Sequence, residues 1–333
     1  MSWLAEYGLF LAKSLTTIFS LVILLTFIIL LTAKKKNETG TVSLENISKK
    51  MKADKDEILH KMLTSKSDKK AFNKANKKSK NKKTLSCENE KRLFVIEFDG
   101  DVRASQVVGL KACVNMLLQI ARPNDEVLIK LESPGGMVHT YGLAASHLQR
   151  IRDHNLNLTV SIDKVAASGG YLMASIAHRI ISAPFAIIGS IGVIGQLPNF
   201  NRLLNKHHID FEQHTAGKFK RTLTVFGENT DEAREKFQED LEQVHVLFKN
   251  HVSLFRPQLE LDKVATGEYW YGHDAKKLNL VDEIQVSDDF INALNNSYTI
   301  YELRYHEKKK LKEKMGMLAN SFINFFSQFS ARF

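Results

Sequence analysis

Leu-Thr-Val-Ser-Ile-Asp-Lys-Val-Ala-Ala-Ser-Gly-Gly-Tyr-Leu-Met, residues 158–173, is the stretch from which the rest of the chain is read. Residues 158–162 are β-branched and apolar and read as a buried strand. Ser168 opens a run of small and apolar residues, 169–177, that reads as a helix. The serine therefore stands at a strand-to-helix junction among Ala166, Ala167, Gly169 and Gly170. Small neighbours let another backbone approach. A helix start offers N–H groups and partial positive charge to a developing oxyanion. The junction suits a nucleophile. It equally suits a plain N-cap, for which serine is a preferred residue.

Outward from this stretch, residues 93–98 and 126–131 also read as strands, and 105–121 and 138–152 as helices. Strands alternating with helices imply an α/β domain with a sheet covered by helices. Residues 187–197 are apolar but short and carry Gly189, Gly192 and Gly195, which favours a buried core segment or loop over a second membrane span. Thr230 opens a long helix over 230–255 with acids in its first turns. A short helix follows at 272–280.

The chain has 333 residues and a net charge of +10. Between 34 and 83 lie 17 lysines against 6 acidic residues, an excess of +11 that leaves the remainder near −1. The basicity belongs to a linker, and the folded domain has no surplus with which to hold a phosphate backbone, so nucleic acid is not expected as a partner. Two cysteines, Cys87 and Cys113, make neither a disulfide framework nor a zinc site, and no HExxH spacing occurs; no metal and no cofactor are expected. No Walker A loop or dinucleotide fingerprint is present.

Residues 15–33 are almost continuously apolar, about the length that crosses a bilayer core. Trp3 and Tyr7 precede the run and Lys34, Lys35 and Lys36 close it. The run exceeds a usual signal-peptide core and lacks a small-residue cleavage site. The expected organisation is a transmembrane anchor over 1–36, a lysine-rich flexible linker over 37–90 with a short helix near 54–63, a catalytic domain over 91–300, and a basic, aromatic C-terminal helix over 301–333 with five phenylalanines beyond Met315. The lysines on the C-terminal side of the span place the domain in the cytoplasm.

Two further stretches bear on the serine. Ser133-Pro134-Gly135-Gly136 follows the second strand and can present backbone N–H groups to a ligand, or be a simple turn. His214-Thr215-Ala216-Gly217-Lys218-Phe219-Lys220 supplies a lysine, which serves as a base when burial keeps it neutral. Spacing does not choose between Lys218 and Lys220. His139 and His178 keep a serine–histidine arrangement open.

Ala167-Ser168-Gly169-Gly170-Tyr171, preceded by Ser133-Pro134-Gly135-Gly136 and followed by Gly189-Ser190-Ile191-Gly192-Val193 and Gly217-Lys218-Phe219-Lys220, resembles the signal peptide peptidase A/SohB family of membrane-anchored serine proteases. The resemblance covers roughly residues 90–285 and the overall layout, including Gly272-His273-Asp274-Ala275 and Leu280-Val281-Asp282-Glu283. It implies a Clp protease/crotonase-like fold of repeated β-β-α units and a Ser–Lys dyad. Ser168 matches the nucleophile and Lys220 the general base. Ser190 matches a lysine-orienting serine. Gly135 and Gly136 match the oxyanion turn, and Gly169 follows the nucleophile. Phe219 stands where relatives often carry tyrosine. The implied protein is a single-pass endopeptidase of the bacterial inner membrane, assembled as a homo-oligomer, acting on peptides or protein fragments and touching lipid through its N-terminal helix. Analogy puts the domain in the periplasm, against the lysine distribution. A crotonase-like acyl-CoA enzyme and a non-catalytic membrane scaffold are the competing classes. The first needs a carboxylate or similar base at the acyl group, and the second has no need of Ser168, Ser190 and Lys220 together.

Overall fold

The computed structural model describes residues 40–65 and 91–307 continuously, with scattered positions between 3 and 21 and between 67 and 74. Its chain divides into two units, residues 41–307 and residues 1–40 with 308–333. Most of the apolar run 15–33 and all of the tail beyond 307 lie outside the described residues. Described positions before residue 22 are helical. Among the described residues no helix is long and apolar enough to cross a membrane.

In the larger unit, β1 (Thr41–Asn46), α1 (Ile47–Met62), β2 (Lys91–Asp99), α2 (Val107–Ile120), β3 (Glu126–Glu132), α3 (Val138–Asp153) and β4 (Asn157–Ile162) come first. There follow β5 (Val165–Ala167), α4 (Gly169–Ala174), β6 (Arg179–Ser182), β7 (Ile187–Gly189), α5 (Asn201–Lys206) and α6 (Asp231–Phe255). The last are α7 (Leu261–Val264), β8 (Tyr269–Tyr271), α8 (Gly272–Lys277), β9 (Glu283–Ile284), α9 (Ser287–Leu294) and β10 (Tyr298–His306).

Seven strands form one sheet in the order β1-β10-β2-β3-β4-β6-β9. Only β1 runs antiparallel to its neighbour. Strands covered on both faces read as apolar runs without alternation. Leu93, Phe94, Val95 and Ile96 are all buried, as are Val127, Leu128 and Ile129. On one face Phe94, Ile96, Val127 and Ile129 pack with Val114 and Leu117 of α2 and Leu148 and Ile151 of α3. On the other, Leu93, Val95 and Leu128 meet Phe290 and Ile291 of α9, with Ile47 and Met51 of α1 against them. Each such buried aliphatic side chain contributes about 1.5–3 kcal/mol.

A second sheet, β5-β7-β8, sits at the carboxyl end of β3. The Ser133 N–H donates to the Val165 carbonyl at 2.8 Å, and the Ala167 N–H donates back to the Ser133 carbonyl at 3.0 Å. The chain leaving β3 is thereby fastened beside the chain that reaches Ser168.

Three segments differ from the sequence reading. Residues 41–62 are not tether: β1 pairs with β10 in register Thr41↔His306 to Asn46↔Tyr301, and α1 covers a sheet face. Ser48 Oγ donates to Asn295 Oδ1 at 2.6 Å and accepts from the Ile300 N–H at 3.0 Å, which fixes α1 in place. Residues 301–306 are not a helix but the end of β10, inserted between β1 and β2. The helix expected over 169–177 stops at Ala174. The segment 187–197, expected as buried core or loop, is core at Ile188 and Ile191 and loop at Ile194, which is 76% exposed.

Candidate active site

Ser168 joins β5 to α4 with φ +50° and ψ −119°, a conformation that L-residues rarely adopt. Such strain costs on the order of 1–3 kcal/mol and persists only where the surroundings enforce it. Here the Ser168 N–H donates to the Gly189 carbonyl at 2.8 Å, and the Ser168 carbonyl accepts from Leu172 N–H at 3.0 Å. The hydroxyl makes no cap hydrogen bond to α4, so capping does not account for the residue. Serine at a sharp strand-to-helix turn is how a nucleophile is projected from a sheet.

The glycine turn lies directly against it. Gly135 has φ +88°, and a Cβ added there would fall 2.7 Å from Ser168 Cβ and 2.8 Å from the Gly169 nitrogen. Gly136 is pressed on the Val102 backbone, whose carbonyl accepts from Met137 N–H at 2.9 Å. The Gly135 N–H donates to Ser133 Oγ at 3.1 Å. Ser133 Oγ lies 2.5 Å from Tyr141 Oη, which donates to the Asp101 carbonyl at 2.7 Å. Burial lifts the Tyr141 phenol above its ordinary value, against the opposing effect of its bond to Ser133. A Cβ on Gly169 would lie 2.5 Å from Tyr141 Cγ. Ser133 belongs to a stretch singled out in the sequence, but the sequence gives no sign of Tyr141, Asp101 or Val102 at the site; their proximity arises from pairings across the fold.

Ser190 stands beside Ser168. In β5 and β7, Ala167 is paired with Gly189, and each serine is the next residue. Ser190 has the same φ, +50°, and its N–H donates to the Glu268 carbonyl at 2.6 Å.

Lys220 lies in an irregular, exposed stretch between α5 and α6. Its N–H donates to the Gly217 carbonyl at 3.1 Å, and Gly217 turns the chain at φ +96°. Its side chain helps line an open groove of about 660 Å³ with Leu197, Phe211, His214, Ala216 and Val225. Lys218 is engaged elsewhere: its Nζ is 2.7 Å from Glu232 Oε1 and 4.9 Å from the Phe219 ring centre. Lys220 has no ion pair among the described residues, and no hydrogen bond joins it to Ser168 or Ser190.

The histidines differ in availability. His178 Nδ1 accepts from the Leu158 N–H at 3.1 Å, at the start of β4, and burial lowers its pKa. His139 is exposed at the start of α3. Among the described residues no three His, Cys, Asp or Glu side chains could hold a metal ion together.

Residues 2–148 match the model of the peptidase family S49 N-terminal region, and residues 150–301 match that of peptidase family S49. The chain is 50% identical over 241 residues to the probable protease SohB of Haemophilus influenzae, covering 72% of this chain and 68% of that one. It is 46% identical over 314 residues to the probable protease SohB of Buchnera aphidicola subsp. Acyrthosiphon pisum, covering 94% and 93%. Among solved structures, the ClpP protease catalytic domain from Plasmodium falciparum superposes with a TM-score of 0.38 at 14% identity, over 58% of this chain and 85% of that one. A mutant of a membrane-bound stomatin-specific protease in complex with a substrate peptide gives 0.37 at 13% identity, over 68% and 96%. The two structural likenesses are too loose to locate any residue, but the family matches extend over almost the whole chain, from residue 2 to residue 301 in β10, and the chain belongs to peptidase family S49.

Proposed function

We propose that the chain is a serine-type endopeptidase in which Ser168 is the nucleophile and Lys220 the general base. The observation that carries this reading is the strained Ser168 backbone, packed against the Gly135 turn and followed by Gly169. Ser168 Oγ attacks the scissile carbonyl carbon and gives its proton to the neutral Lys220 amine. The oxyanion is held by the amides of Gly136 and Gly169, since that of Gly135 is committed to Ser133. One such donor contributes about 3 kcal/mol to transition-state stabilisation. Lys220 then protonates the leaving amine, and the C–N bond breaks. Water, deprotonated by Lys220, releases the acyl group from Ser168. Ser190, beside Ser168, orients the lysine. The engagement of Lys218 by Glu232 favours Lys220 for the role.

An amine accepts a proton only when neutral, and covering it from water favours that form. For Lys220 to act as base, its exposed stretch has to be covered over Ser168, by a bound peptide or by a second copy. A homo-oligomer is supported by apolar side chains left exposed on α6, Leu247 at 67% and Leu254 at 71%. Peptides and protein fragments are the substrates. The apolar run 15–33 with its lysine flank supports a single-pass anchor in the bacterial inner membrane and contact with lipid.

A fluorophosphonate probe tests the nucleophile: the adduct is expected on the tryptic peptide carrying Ser168 and is absent from Ser168→Ala. Labelling elsewhere, or undiminished labelling of the variant, contradicts it. Fusion of alkaline phosphatase after residue 90 decides the membrane side, high activity meaning a domain outside the cytoplasm.

A further inference from the structure

We propose that Tyr141, acting with Ser133, is a positioning residue for the oxyanion turn: their hydroxyls form a one-way hydrogen-bond chain from the Gly135 N–H to the Asp101 carbonyl. The catalytic part of this inference rests on the serine-peptidase reading; the chain itself does not. Its direction follows from its ends. A backbone N–H can only donate and a carbonyl can only accept. With Gly135 N–H donating to Ser133 Oγ and Tyr141 Oη donating to Asp101, the Ser133 hydroxyl proton goes to Tyr141. Every polar atom along the chain then has a partner and neither hydroxyl is free to rotate. Ser133 and Tyr141 are both 0% exposed, so no water competes for these bonds.

Both ends are anchored. The Asp101 carbonyl also accepts from Ala104 N–H at 2.9 Å, while the Asp101 carboxylate accepts from Ser105 N–H at 2.8 Å and Ser105 Oγ at 2.9 Å. The next carbonyl, of Val102, accepts from Met137 N–H, on the far side of the glycine turn. The turn 133–137 is thus held from two sides by the 101–105 loop. Tyr141 also bears on the other oxyanion amide, because its ring contacts Gly169 where a Cβ would otherwise stand. The Phe98 ring, 6.5 Å away edge to face, fixes the Tyr141 ring in turn. One side chain therefore sets the spacing between the Gly136 and Gly169 amides. A misplacement of about 1 Å at such a site costs about 10²-fold in rate.

The test compares full-length wild type, Tyr141→Phe and Ser133→Ala in detergent. Tyr141→Phe keeps the ring against Gly169 and removes only the hydroxyl; Ser133→Ala is the second variant should the first fail to fold. The expected result is a kcat lower by about 10- to 100-fold with KM within about twofold, and a peptide-aldehyde inhibitor weakened by the same factor as kcat/KM. Hydrogen exchange at the amides of 133–137 is expected to quicken in both variants, with other segments unchanged. The inference is overturned if exchange at 133–137 is unaltered, or if the loss lies in KM with the inhibitor bound as tightly as by wild type. If the wild type cleaves no peptide, the peptidase reading has failed, and exchange still decides whether the chain holds the turn.

Discussion

Ser168 and Ser190 leave adjacent parallel strands at the same level, each one residue beyond the Ala167–Gly189 pair and each with φ +50°. The Ser168 N–H reaches back to the Gly189 carbonyl at 2.8 Å. The two hydroxyl-bearing residues are thus mounted side by side on one small sheet, and the conformation of one depends on the other strand. Ser190→Ala is expected to lower kcat about 10- to 100-fold. Ser190→Gly, which suits the positive φ but also lacks the hydroxyl, is expected to lose as much. Full activity in the glycine variant would assign the residue's importance to its backbone, not its hydroxyl. Steady-state kinetics on a fluorogenic peptide checks this.

Gly135→Ala introduces a Cβ 2.7 Å from Ser168 Cβ and from the Ala167 carbonyl oxygen at a residue with φ +88°. No nearby flexible side chain can move aside to relieve it. Activity is expected to vanish and stability to fall by about 1–3 kcal/mol, read as a lower Tm. Retained activity would mean that the turn is not held against Ser168 as described.

Ser48 tests whether residues 41–62 belong to the folded domain. Its hydroxyl serves Asn295 and the Ile300 N–H together. Ser48→Ala leaves a strand N–H without its acceptor, a loss of about 1–3 kcal/mol. For a domain of this size Tm falls by about 2–4 °C per kcal/mol. An unchanged melting curve would return the segment to the role of tether.

Stability is expected to fall on the acid side. Burial holds His147, His178 and His251 below the ordinary imidazole value, and Arg150 and Lys111 add to the effect at His147. The folded state resists a proton that the unfolded chain takes up near pH ~6.5. Stability is therefore full above that pH and lost as pH falls below it, with a slope approaching about 1.4 kcal/mol per pH unit for each of His147 and His251 and a smaller share from the exposed His178. His251 donates from Nε2 to the Leu172 carbonyl at 3.2 Å, on the helix that follows Ser168. Melting curves from pH 8 to 5 are expected to show a shallower acid decline for His251→Gln than for wild type. An equal decline would contradict it.

The central strands were legible because burial on both faces leaves an uninterrupted apolar run, as in Leu93 to Ile96 and Val127 to Ile129. α6 was legible from its opening: Thr230 accepts from Ala233 N–H, and Asp231 and Glu232 follow. β1 was not, because Thr41–Asn46 is a sheet edge with no fully buried residue, whose partner lies at the far end of the chain. α1 buries no residue fully, and only Ile47 and Met51 are seen against the core, so its lysines made it look like linker. β10 alternates aromatic, β-branched and polar residues, a strand pattern hidden by the basic tail that follows. At the site, Ser168 and the Gly135–Gly136 turn stood out by residue type, whereas Ser190 was named through the family resemblance. The Ser133–Tyr141–Asp101 chain could not, because it depends on α3 lying across the loop after β2. Spacing alone did not separate Lys218 from Lys220, and the pairing of Lys218 with Glu232 depends on α6, remote in sequence.

The central claim is the pairing of Ser168 with Lys220, and peptide hydrolysis by purified, detergent-solubilised protein tests it most directly. Wild type is measured beside Ser168→Ala, Lys220→Ala and Lys218→Ala on casein and a fluorogenic peptide. The expected result is cleavage by wild type, none above background for Ser168→Ala and Lys220→Ala, and near-normal cleavage for Lys218→Ala. Cleavage by Ser168→Ala at the wild-type rate, or loss with Lys218→Ala in place of Lys220→Ala, would contradict the dyad.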